Sequence, residues 1–323
     1  MSGRRYAIVT PCRDEAEYAR RTLDAVCGQS VPPTKWVIVD DGSTDGTTEI
    51  LKEYAERYSF IEIVTREQRG KRAVGPGVVD AFYAGLDTIA MSDFDYVVKL
   101  DLDLDLPQGY FESLMVRMEA DPRLGCCSGK PYFPGPTNTD KGWDGELVSE
   151  LCGDEMCVGM IKFYRVSAFE QIGGFVREVM WDGIDCHRCR MLGWRACSWD
   201  DPELRFLHLR PMGSSQKGIL TGRARHGFGQ YFMGTGPIYM AASAAFRVLH
   251  RPVLIGSAAM MWGYLESWLK GKPRYGDAAF RRFLRRYQWA CLFSGKSAAT
   301  RRLDAEQAGV WETSSAGALP AAQ

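Results

Sequence analysis

The sequence of 323 residues lacks a net charge, because 40 Lys and Arg balance 40 Asp and Glu. Nucleic-acid-binding proteins neutralise phosphates with a basic excess, so no nucleic-acid partner is expected. The ten cysteines follow no spacing of a small disulfide-linked domain, and no apolar leader precedes the first strand-like segment. These features predict reduced thiols and a cytoplasmic location.

Two glycine-rich phosphate-binding motifs are also missing. No G-x-G-x-x-G follows the first predicted strand, and no G-x-x-x-x-G-K-[ST] occurs anywhere. Their absence argues against a dinucleotide-binding fold and against a P-loop. A composition of 46% apolar and 25% charged residues is nevertheless that of a folded protein.

The first 130 residues alternate β-branched runs with helical patterns. Predicted strands are Tyr6–Thr10, Trp36–Asp40, Phe60–Thr65 and Tyr96–Leu100, and predicted helices are Glu15–Cys27, Gly46–Tyr58, Val78–Ile89 and Tyr110–Ala120. This alternation predicts an α/β fold with a mostly parallel sheet flanked by helices. Ligands of such sheets bind beyond the carboxyl ends of the strands.

Polar clusters follow three of these strands. Thr10–Glu15 follows the first strand, Asp40–Thr47 the second and Asp101–Asp105 the fourth. Asp101 and Asp103 point the same way in an extended segment, and paired carboxylates suit Mg²⁺ or Mn²⁺ shared with substrate phosphates. Asp105 continues the alternation, so the spacing does not decide which two of the three bind.

The Asp40-Asp41 pair has two interpretations. A carboxylate there can accept hydrogen bonds from a nucleobase N–H or a ribose hydroxyl. Residues 43–45 can instead cap the following helix, which would make much of this segment local turn chemistry. A further acidic segment, Trp181-Asp182-Gly183-Ile184-Asp185, opens a predicted helix. Asp182 there suits either a general base or a helix cap.

Beyond about residue 210 the composition changes to long uncharged runs that are flanked by basic residues. Gly227–Phe246 and Pro252–Leu265 are uncharged, but the glycines of the first run make it a poor membrane-spanning helix and the second is too short. Their aromatic residues and flanking basic residues favour a membrane-interface region over a buried helical subdomain. Phe280–Trp289 predicts a basic amphipathic helix. The expected division is 1–212 catalytic, 213–296 helical and membrane-associating, and 297–323 a disordered tail.

Four ordered motifs between Tyr6 and His208 resemble the family 2 inverting glycosyltransferases with the GT-A fold. They are TPCRDE, VIVDDGSTDGT, KLDLDLDLPQGYFESL, and GGF followed by WDGIDCHRCRMLGW. The resemblance implies a nucleotide-sugar donor, a divalent cation (Mn²⁺ or Mg²⁺) and a single displacement that inverts the sugar. The Q-x-x-R-W motif of the family's processive synthases is absent from the sequence, which favours transfer of one sugar per encounter.

The resemblance also implies roles for individual residues. Asp101 and Asp103 would bind the metal, with Asp103 the more direct ligand, and His208 would approach it. Asp182 would be the base, although Asp185 lies close and the family's usual Glu-Asp pair is here Trp181-Asp182. Residues assigned to the nucleotide are Pro11, Arg13, Glu15, Asp40, Asp41, Lys71 and Asp101. Lys71 and its neighbour Arg72 fit a solvated basic loop equally well, and Trp181 and Asp185 are assigned to the acceptor side.

The expected function is therefore a metal-dependent glycosyltransferase whose acceptor is a saccharide, most simply a lipid-linked one in cell-surface polysaccharide synthesis. The expected location is the inner face of the cell membrane, with peripheral attachment. Two alternatives stay open: a catalytically silent nucleotide-binding membrane scaffold, and a sugar nucleotidyltransferase. The second would need a Gly-rich, Arg-containing loop where this chain has TPCRDE.

Overall fold

The structure is a computed structural model that describes residues 4–67, 75–134, 147–150, 152–210, 219–248 and 253–316. The chain divides into two compact units. The first comprises Met1–Gly174 and Ala196–Met212, and the second comprises Phe175–Arg195 and Gly213–Gln323. The last residue of the first unit is Met212, and the segment 175–195 groups with the second unit. The expected division by function stays a prediction.

The first unit is built on a seven-stranded sheet in the order β10-β6-β9-β4-β1-β2-β3. Its strands are β1 (Tyr6–Cys12), β2 (Lys35–Asp40), β3 (Ile61–Thr65), β4 (Tyr96–Leu100), β6 (Leu124–Ser128), β9 (Ile161–Arg165) and β10 (Arg195–Ser198). The first four pair in parallel, and β9 runs antiparallel to both β4 and β6. The expected mostly parallel α/β sheet is confirmed.

Helices follow the strands because apolar residues recur at helical spacing between them. They are α1 (Ala16–Cys27), α2 (Thr47–Arg57), α3 (Pro76–Leu86), α4 (Tyr110–Ala120) and α5 (Val166–Gln171). Strands β1 and β4 are buried almost throughout, as expected for a sheet covered on both faces. The predicted helices agree with α1 to α4 within a few residues at each end.

A second sheet of four short strands carries the acidic segment that follows β4. Its order is β5 (Leu104–Asp105), β11 (Arg205–His208), β7 (Lys130–Pro134), β8 (Leu147–Ser149). Strand β5 pairs antiparallel with β11, and this register places Leu104 opposite His208. The backbone N–H of Leu209 donates to the carbonyl of Asp103. The pairing therefore brings residues about a hundred positions apart to one end of the first sheet.

The second unit is helical. It contains α6 (Trp181–Met191), α7 (Ile219–Met233), α8 (Pro237–Phe246), α9 (Ile255–Leu269), α10 (Ala278–Ser294), α11 (Lys296–Glu306) and α12 (Ala308–Ala316). The uncharged run Gly227–Phe246 is broken into the end of α7 and the whole of α8. Among the helices of the described ranges, none is long and apolar enough to cross a bilayer.

Helices α7 and α9 approach each other through glycines. A Cβ atom added to Gly227 would lie 1.9 Å from the carbonyl oxygen of Met260, and one added to Gly263 would lie 2.0 Å from that of Ala224. Only a residue without a side chain fits such backbone contact. The glycines that weaken the sequence signal of a spanning helix thus serve helix packing.

The expectation of a disordered tail from Ser297 is wrong as far as Ala316, because α11 and α12 occupy that segment. Leu303 of α11 is buried, and Thr300 shares a hydrogen bond of 2.7 Å with Tyr287 of α10. Asp304 pairs at 3.1 Å with Arg190, whose side chain is 1% exposed. A composition rich in Ala and Ser gave no sign of these buried contacts.

We predict that Gly263→Ala destabilises the protein although alanine is the better helix former. The new methyl group would overlap the Ala224 carbonyl of α7, and we expect a loss of about 2–4 kcal/mol in the free energy of unfolding. The matched control is Gly309→Ala in α12, where an added Cβ meets nothing within 4 Å. Urea unfolding should find this control neutral or slightly more stable. Equal effects at both positions would contradict the close α7–α9 contact.

Candidate active site

The loops after β1 and β2 are tied together by hydrogen bonds. The backbone N–H of Glu15 donates to Thr47 Oγ1 at 2.8 Å, and that of Ala16 donates to Asp45 Oδ2 at 3.0 Å. The Asp45 side chain also accepts from the backbone of Thr47 at the start of α2. Polar residues of the second loop therefore satisfy the free N–H groups that begin α1 as well as those that begin α2.

Asp40 and Asp41 have different surroundings. Asp40 is buried, and its carboxylate accepts from the backbone of Ser43 at 2.9 Å and from the Thr48 hydroxyl at 2.5 Å. These local bonds hold the loop. Asp41 lies 3.1 Å from the guanidinium of Arg66, and each of the two side chains is less than a fifth exposed. Of the pair, Asp41 is the more accessible carboxylate for a ligand.

Pro11 and Arg13 lie at the carboxyl end of β1. Pro11 pairs in register with Val39 of β2. The Arg13 guanidinium lies 3.6 Å from Asp14, and its Nε and Nη1 atoms are buried with no hydrogen-bond partner among the described residues. A buried cation of this kind suits an anionic ligand. Lys71 lies outside the described residues, as does its neighbour Arg72.

Asp101 directly follows β4 and is partly buried. Its backbone N–H donates to the carbonyl of Met160, and its carboxylate accepts from the ammonium of the buried Lys99. Removal from water raises the pKa of Asp101, and the neighbouring Lys99 opposes that rise only in part.

Asp103 is almost fully buried and is held by two cations. Arg210 Nε lies 2.5 Å from Asp103 Oδ2, and His208 Nε2 lies 3.5 Å from the same oxygen. Burial alone would raise the pKa of Asp103, but the hydrogen bond from His208 and the charge of Arg210 lower it. Arg210 also donates to Glu15 at 2.7 Å. One guanidinium thus joins the loop after β1 to the segment after β4.

His208 lies between two carboxylates. Its Nδ1 is 2.9 Å from Glu150 Oε2, and its Nε2 faces Asp103. Burial works against the imidazolium, but hydrogen bonds to Asp103 and Glu150 raise the pKa of His208 to about 9. A protonated imidazole is not a metal ligand, so the expected role of His208 at the metal requires loss of that proton.

The residues at this edge fit a divalent cation held together with substrate. The charged groups are the carboxylates of Glu15, Asp101, Asp103 and Glu150 and the cationic Lys99, His208 and Arg210. Asp103 Oδ1 is buried and has no hydrogen-bond partner among the residues described. In the described part of the chain, no three His, Cys, Asp or Glu side chains are grouped so that they could hold a metal ion by themselves. Mg²⁺ in nucleotide sites needs fewer, because it takes one or two carboxylates plus phosphate oxygens.

In the second unit, Asp182 lies in the first turn of α6. The residue before this helix, Met180, has a positive φ of 63° and packs against Gly229, where an added Cβ would lie 2.2 Å from the methionine side chain. Such strained backbone is concentrated at functional sites. Asp182 is partly exposed, Trp181 is mostly buried against Phe175, and Asp185 is 1% exposed. Asp182 is thus the accessible carboxylate of this segment.

His226 of α7 is a half-buried neighbour of Asp182. Burial and the charges of Arg247 and Arg223 lower the pKa of His226 to about 4, although the Asp182 carboxylate acts in the opposite direction. The imidazole is therefore neutral at physiological pH, and its Nε2 lies 3.3 Å from the side-chain amide of Gln230.

Sequence reasoning missed Arg210, Glu150, Lys99 and Arg66. Arg210, Glu150 and Arg66 are single charged residues that only strand pairing brings to the site, whereas Lys99 lies two residues before Asp101. Lys99 carried the one available signal, since a lysine within a strand that is otherwise apolar is a buried charge and needs a partner.

The family model for glycosyl transferase family 2 matches residues 7–173, just over half of the chain. The chain belongs to this glycosyltransferase family, which confirms the resemblance of its motifs. Poly-beta-1,6-N-acetyl-D-glucosamine synthase of Staphylococcus aureus is 31% identical over 121 residues. The homologue in Staphylococcus epidermidis is 28% identical over 126 residues. These alignments cover 37% and 39% of this chain and only 27% and 28% of the relatives.

Solved structures agree on the fold. The mannosyltransferase PcManGT of Pyrobaculum calidifontis, solved with GDP-Man and Mn²⁺, matches with a TM-score of 0.52 at 18% identity, covering 96% of this chain and 86% of its own. TarS 1-349 of S. aureus, solved with UDP-GlcNAc, matches with a TM-score of 0.50 at 12% identity, covering 97% and 92%. At these identities the similarity establishes the fold alone.

We predict that His226 makes stability depend on pH. The unfolded chain binds a proton at His226 below about pH 6.5, whereas the folded protein does so only near pH 4. Stability should therefore fall as the pH falls from 6.5 to 4, by up to about 3 kcal/mol from this residue. His226→Gln should lose this part of the pH dependence when urea unfolding is measured at pH 7.5, 6 and 5. The same pH slope in both proteins would show that His226 titrates normally.

Proposed function

We propose that the protein transfers a single sugar from a nucleoside-diphosphate sugar to an acceptor hydroxyl with inversion at the anomeric carbon. The observation that carries this is the Glu15–Arg210–Asp103 bridge at the carboxyl edge of the sheet. It holds an ionised carboxylate with one buried oxygen lacking a hydrogen-bond partner among the described residues. Family membership supplies the reaction class, and this charged edge is where a nucleotide diphosphate with its cation fits.

The donor is held by residues of the first unit in this proposal. Asp41 accepts from the base or ribose, Arg13 faces a phosphate, and Asp101 and Asp103 hold Mn²⁺ or Mg²⁺. When bound, the cation neutralises charge that develops on the departing diphosphate. Lys99 and Arg210 keep the two carboxylates in place. The structures solved with GDP-Man and with UDP-GlcNAc support a diphosphate donor of this kind.

The base in this proposal is Asp182. Its carboxylate takes the proton from the acceptor hydroxyl, the hydroxyl oxygen forms a bond to the anomeric carbon, and the bond from that carbon to the diphosphate oxygen breaks. The electron pair leaves with the nucleoside diphosphate. An acidic residue is favoured in the first turn of a helix, where backbone N–H groups stabilise its negative charge. The assignment follows from the family resemblance and from the accessibility of Asp182 relative to Asp185.

We expect Asp182→Asn to lower transfer by about 10²–10⁴-fold, the usual contribution of a general base, with donor binding unchanged. Asp103→Asn should instead weaken binding that depends on the metal. Thermal unfolding against UDP, GDP, dTDP and CMP, each with and without Mn²⁺, identifies the donor class. A ligand at about 100 times its Kd should add roughly 2.7 kcal/mol to stability.

Two results would overturn this assignment. Full transfer by Asp182→Asn excludes Asp182 as the base. Nucleotide binding without any transfer by the wild-type protein, tested with saccharide and lipid-linked acceptors, favours a silent scaffold instead.

We also propose that the second unit attaches the protein peripherally to the inner face of the cell membrane, next to a lipid-linked acceptor. Exposed apolar side chains recur along α9 at helical spacing: Ile255, Trp262, Leu265, Trp268 and Leu269. Trp262 is 61% exposed and Leu269 is 72% exposed. A large exposed apolar surface indicates an interaction site, and tryptophan is favoured at the membrane interface. The similarity to the poly-beta-1,6-N-acetyl-D-glucosamine synthase of S. aureus supports a role in polysaccharide assembly.

Replacing Trp262 and Leu269 with Ser should weaken binding to vesicles by about a hundredfold or more, because each inserted side chain contributes about 1.5–3 kcal/mol. The control is Val116→Ser in α4, which removes an exposed apolar residue of the first unit. Unchanged vesicle binding by the α9 variant would contradict membrane attachment. Oligomers that dissociate in the α9 variant would identify a second copy of the chain as the partner of this surface.

A further inference from the structure

A cavity of about 440 Å³ in the second unit is lined by four arginines. Its lining residues are Arg274, Ala278, Arg281, Arg282 and Arg285. Ligand sites in proteins have volumes of about 300–1,000 Å³, so the cavity is large enough for a small molecule. The four residues from 278 to 285 follow the spacing i, i+3, i+4, i+7 and therefore share one face of α10.

Within the described ranges, the arginines of this cavity have no acidic partner. No carboxylate lies within ion-pair distance of their guanidinium groups in the part of the chain that the structure describes. Asp277, the nearest acidic residue in sequence, accepts from the backbone of Phe280 and caps α10. Like charges three and four residues apart destabilise a helix. Arg285 lies four residues after Arg281 and three after Arg282, so these charges carry a cost in helix stability that binding of an anion would offset.

Three of the guanidinium groups are held in place. Arg281 donates to the carbonyl of Tyr275, and Arg285 Nε donates to the carbonyl of Gly234 at 3.3 Å. The aliphatic part of Arg281 packs on Gly234, where an added Cβ would lie 2.7 Å from its side chain. Arg274 lies over the ring of Tyr231, 4.5 Å from the ring centre. Its Nε is buried without a hydrogen-bond partner among the described residues.

We propose that this cavity is a binding site for a phosphate or diphosphate group. Arginine offers paired N–H donors that match phosphate oxygens, and fixed guanidinium groups lose little freedom on binding. On α10 the lining begins at Ala278, the first residue of the helix, where the positive end of the helix dipole also favours an anion. The same face of α10 continues from Arg282 and Arg285 to the exposed Trp289 and Phe293. The phosphate belongs either to a soluble ion or to the headgroup of a lipid.

Isothermal titration with inorganic pyrophosphate, in EDTA to suppress metal-dependent binding at the donor site, tests the soluble source. Arg282→Gln is the principal variant, because Arg282 is exposed and removing it leaves the folded contacts intact. We expect its affinity to fall about tenfold, and that of the double variant Arg281→Gln/Arg285→Gln to fall further. The matched control is Arg286→Gln on the same helix, which removes an equal charge paired with Glu306 outside the cavity.

Sedimentation with vesicles tests the lipid source. The wild-type protein should bind phosphatidylcholine vesicles containing phosphatidic acid more tightly than phosphatidylcholine alone, and Arg282→Gln should lose about tenfold of that preference. Loss in either assay with Arg286→Gln unaffected supports the site and identifies the source. Equal losses for Arg282→Gln and Arg286→Gln, or no response of Arg282→Gln in both assays, would overturn it.

The proposed transfer activity has a separate readout. Stabilisation by nucleotide with Mn²⁺ should be the same in Arg282→Gln and in the wild-type protein. If Arg282→Gln leaves pyrophosphate and vesicle binding unchanged, the arginine site is wrong but the nucleotide result still stands. If no nucleotide stabilises the protein, the donor site is wrong but the pyrophosphate and vesicle results still test the arginine site.

Discussion

The contact on which the first unit depends is the guanidinium of Arg210 between Glu15 and Asp103. Burying a carboxylate away from water costs several kcal/mol unless a partner compensates for it. Arg210 serves two carboxylates at once, and His208 serves Asp103 and Glu150 in the same way. Segments far apart in sequence are thereby fixed at one edge of the sheet. The same contacts keep Asp103 ionised, which is the state needed to hold a cation.

The second unit uses the same principle in a different place. Arg190 is buried in α6 and pairs with Asp304 of α11, so the helix that carries Asp182 and the helix near the end of the described chain stabilise each other. Trp311 adds to this contact, because its ring meets Trp194 edge to face and its backbone lies close to Gly193. Removing either partner of such a pair leaves a buried charge without compensation. The helices after residue 295 are therefore part of the support of α6.

Much of the fold could be predicted from sequence, because apolar periodicity and strand-end polar clusters are local signals. The positions of β1 to β4 and the placement of Asp101 and Asp103 after β4 follow from such signals. Arg210 and Glu150 could not be predicted, since their roles arise from pairing between β5, β7, β8 and β11. The Ala-rich helix α11 was missed because its stability comes from Leu303 and Asp304 rather than from its composition. The role of Asp40 could not be predicted either, because the same sequence pattern is typical of a ligand-binding carboxylate and of one that holds its own loop. In the structure Asp40 bonds to Ser43 and Thr48 of that loop.

The two units differ in whether their charged side chains form ion pairs. In the first, the buried carboxylates Glu15, Asp103 and Glu150 at the sheet edge each have a partner of opposite sign. On α10, arginines and aromatic residues occupy successive turns of one exposed face, from Arg282 and Arg285 to Trp289 and Phe293. Arg282 and Phe293 are about 16 Å apart along the helix. A helix lying in the plane of a membrane interface would bring both ends to the same depth, where aromatic rings and phosphates occur together. Under the proposed membrane attachment, the arginines would meet lipid phosphates where the exposed rings meet the apolar layer, whereas a soluble phosphate would account for the arginines alone.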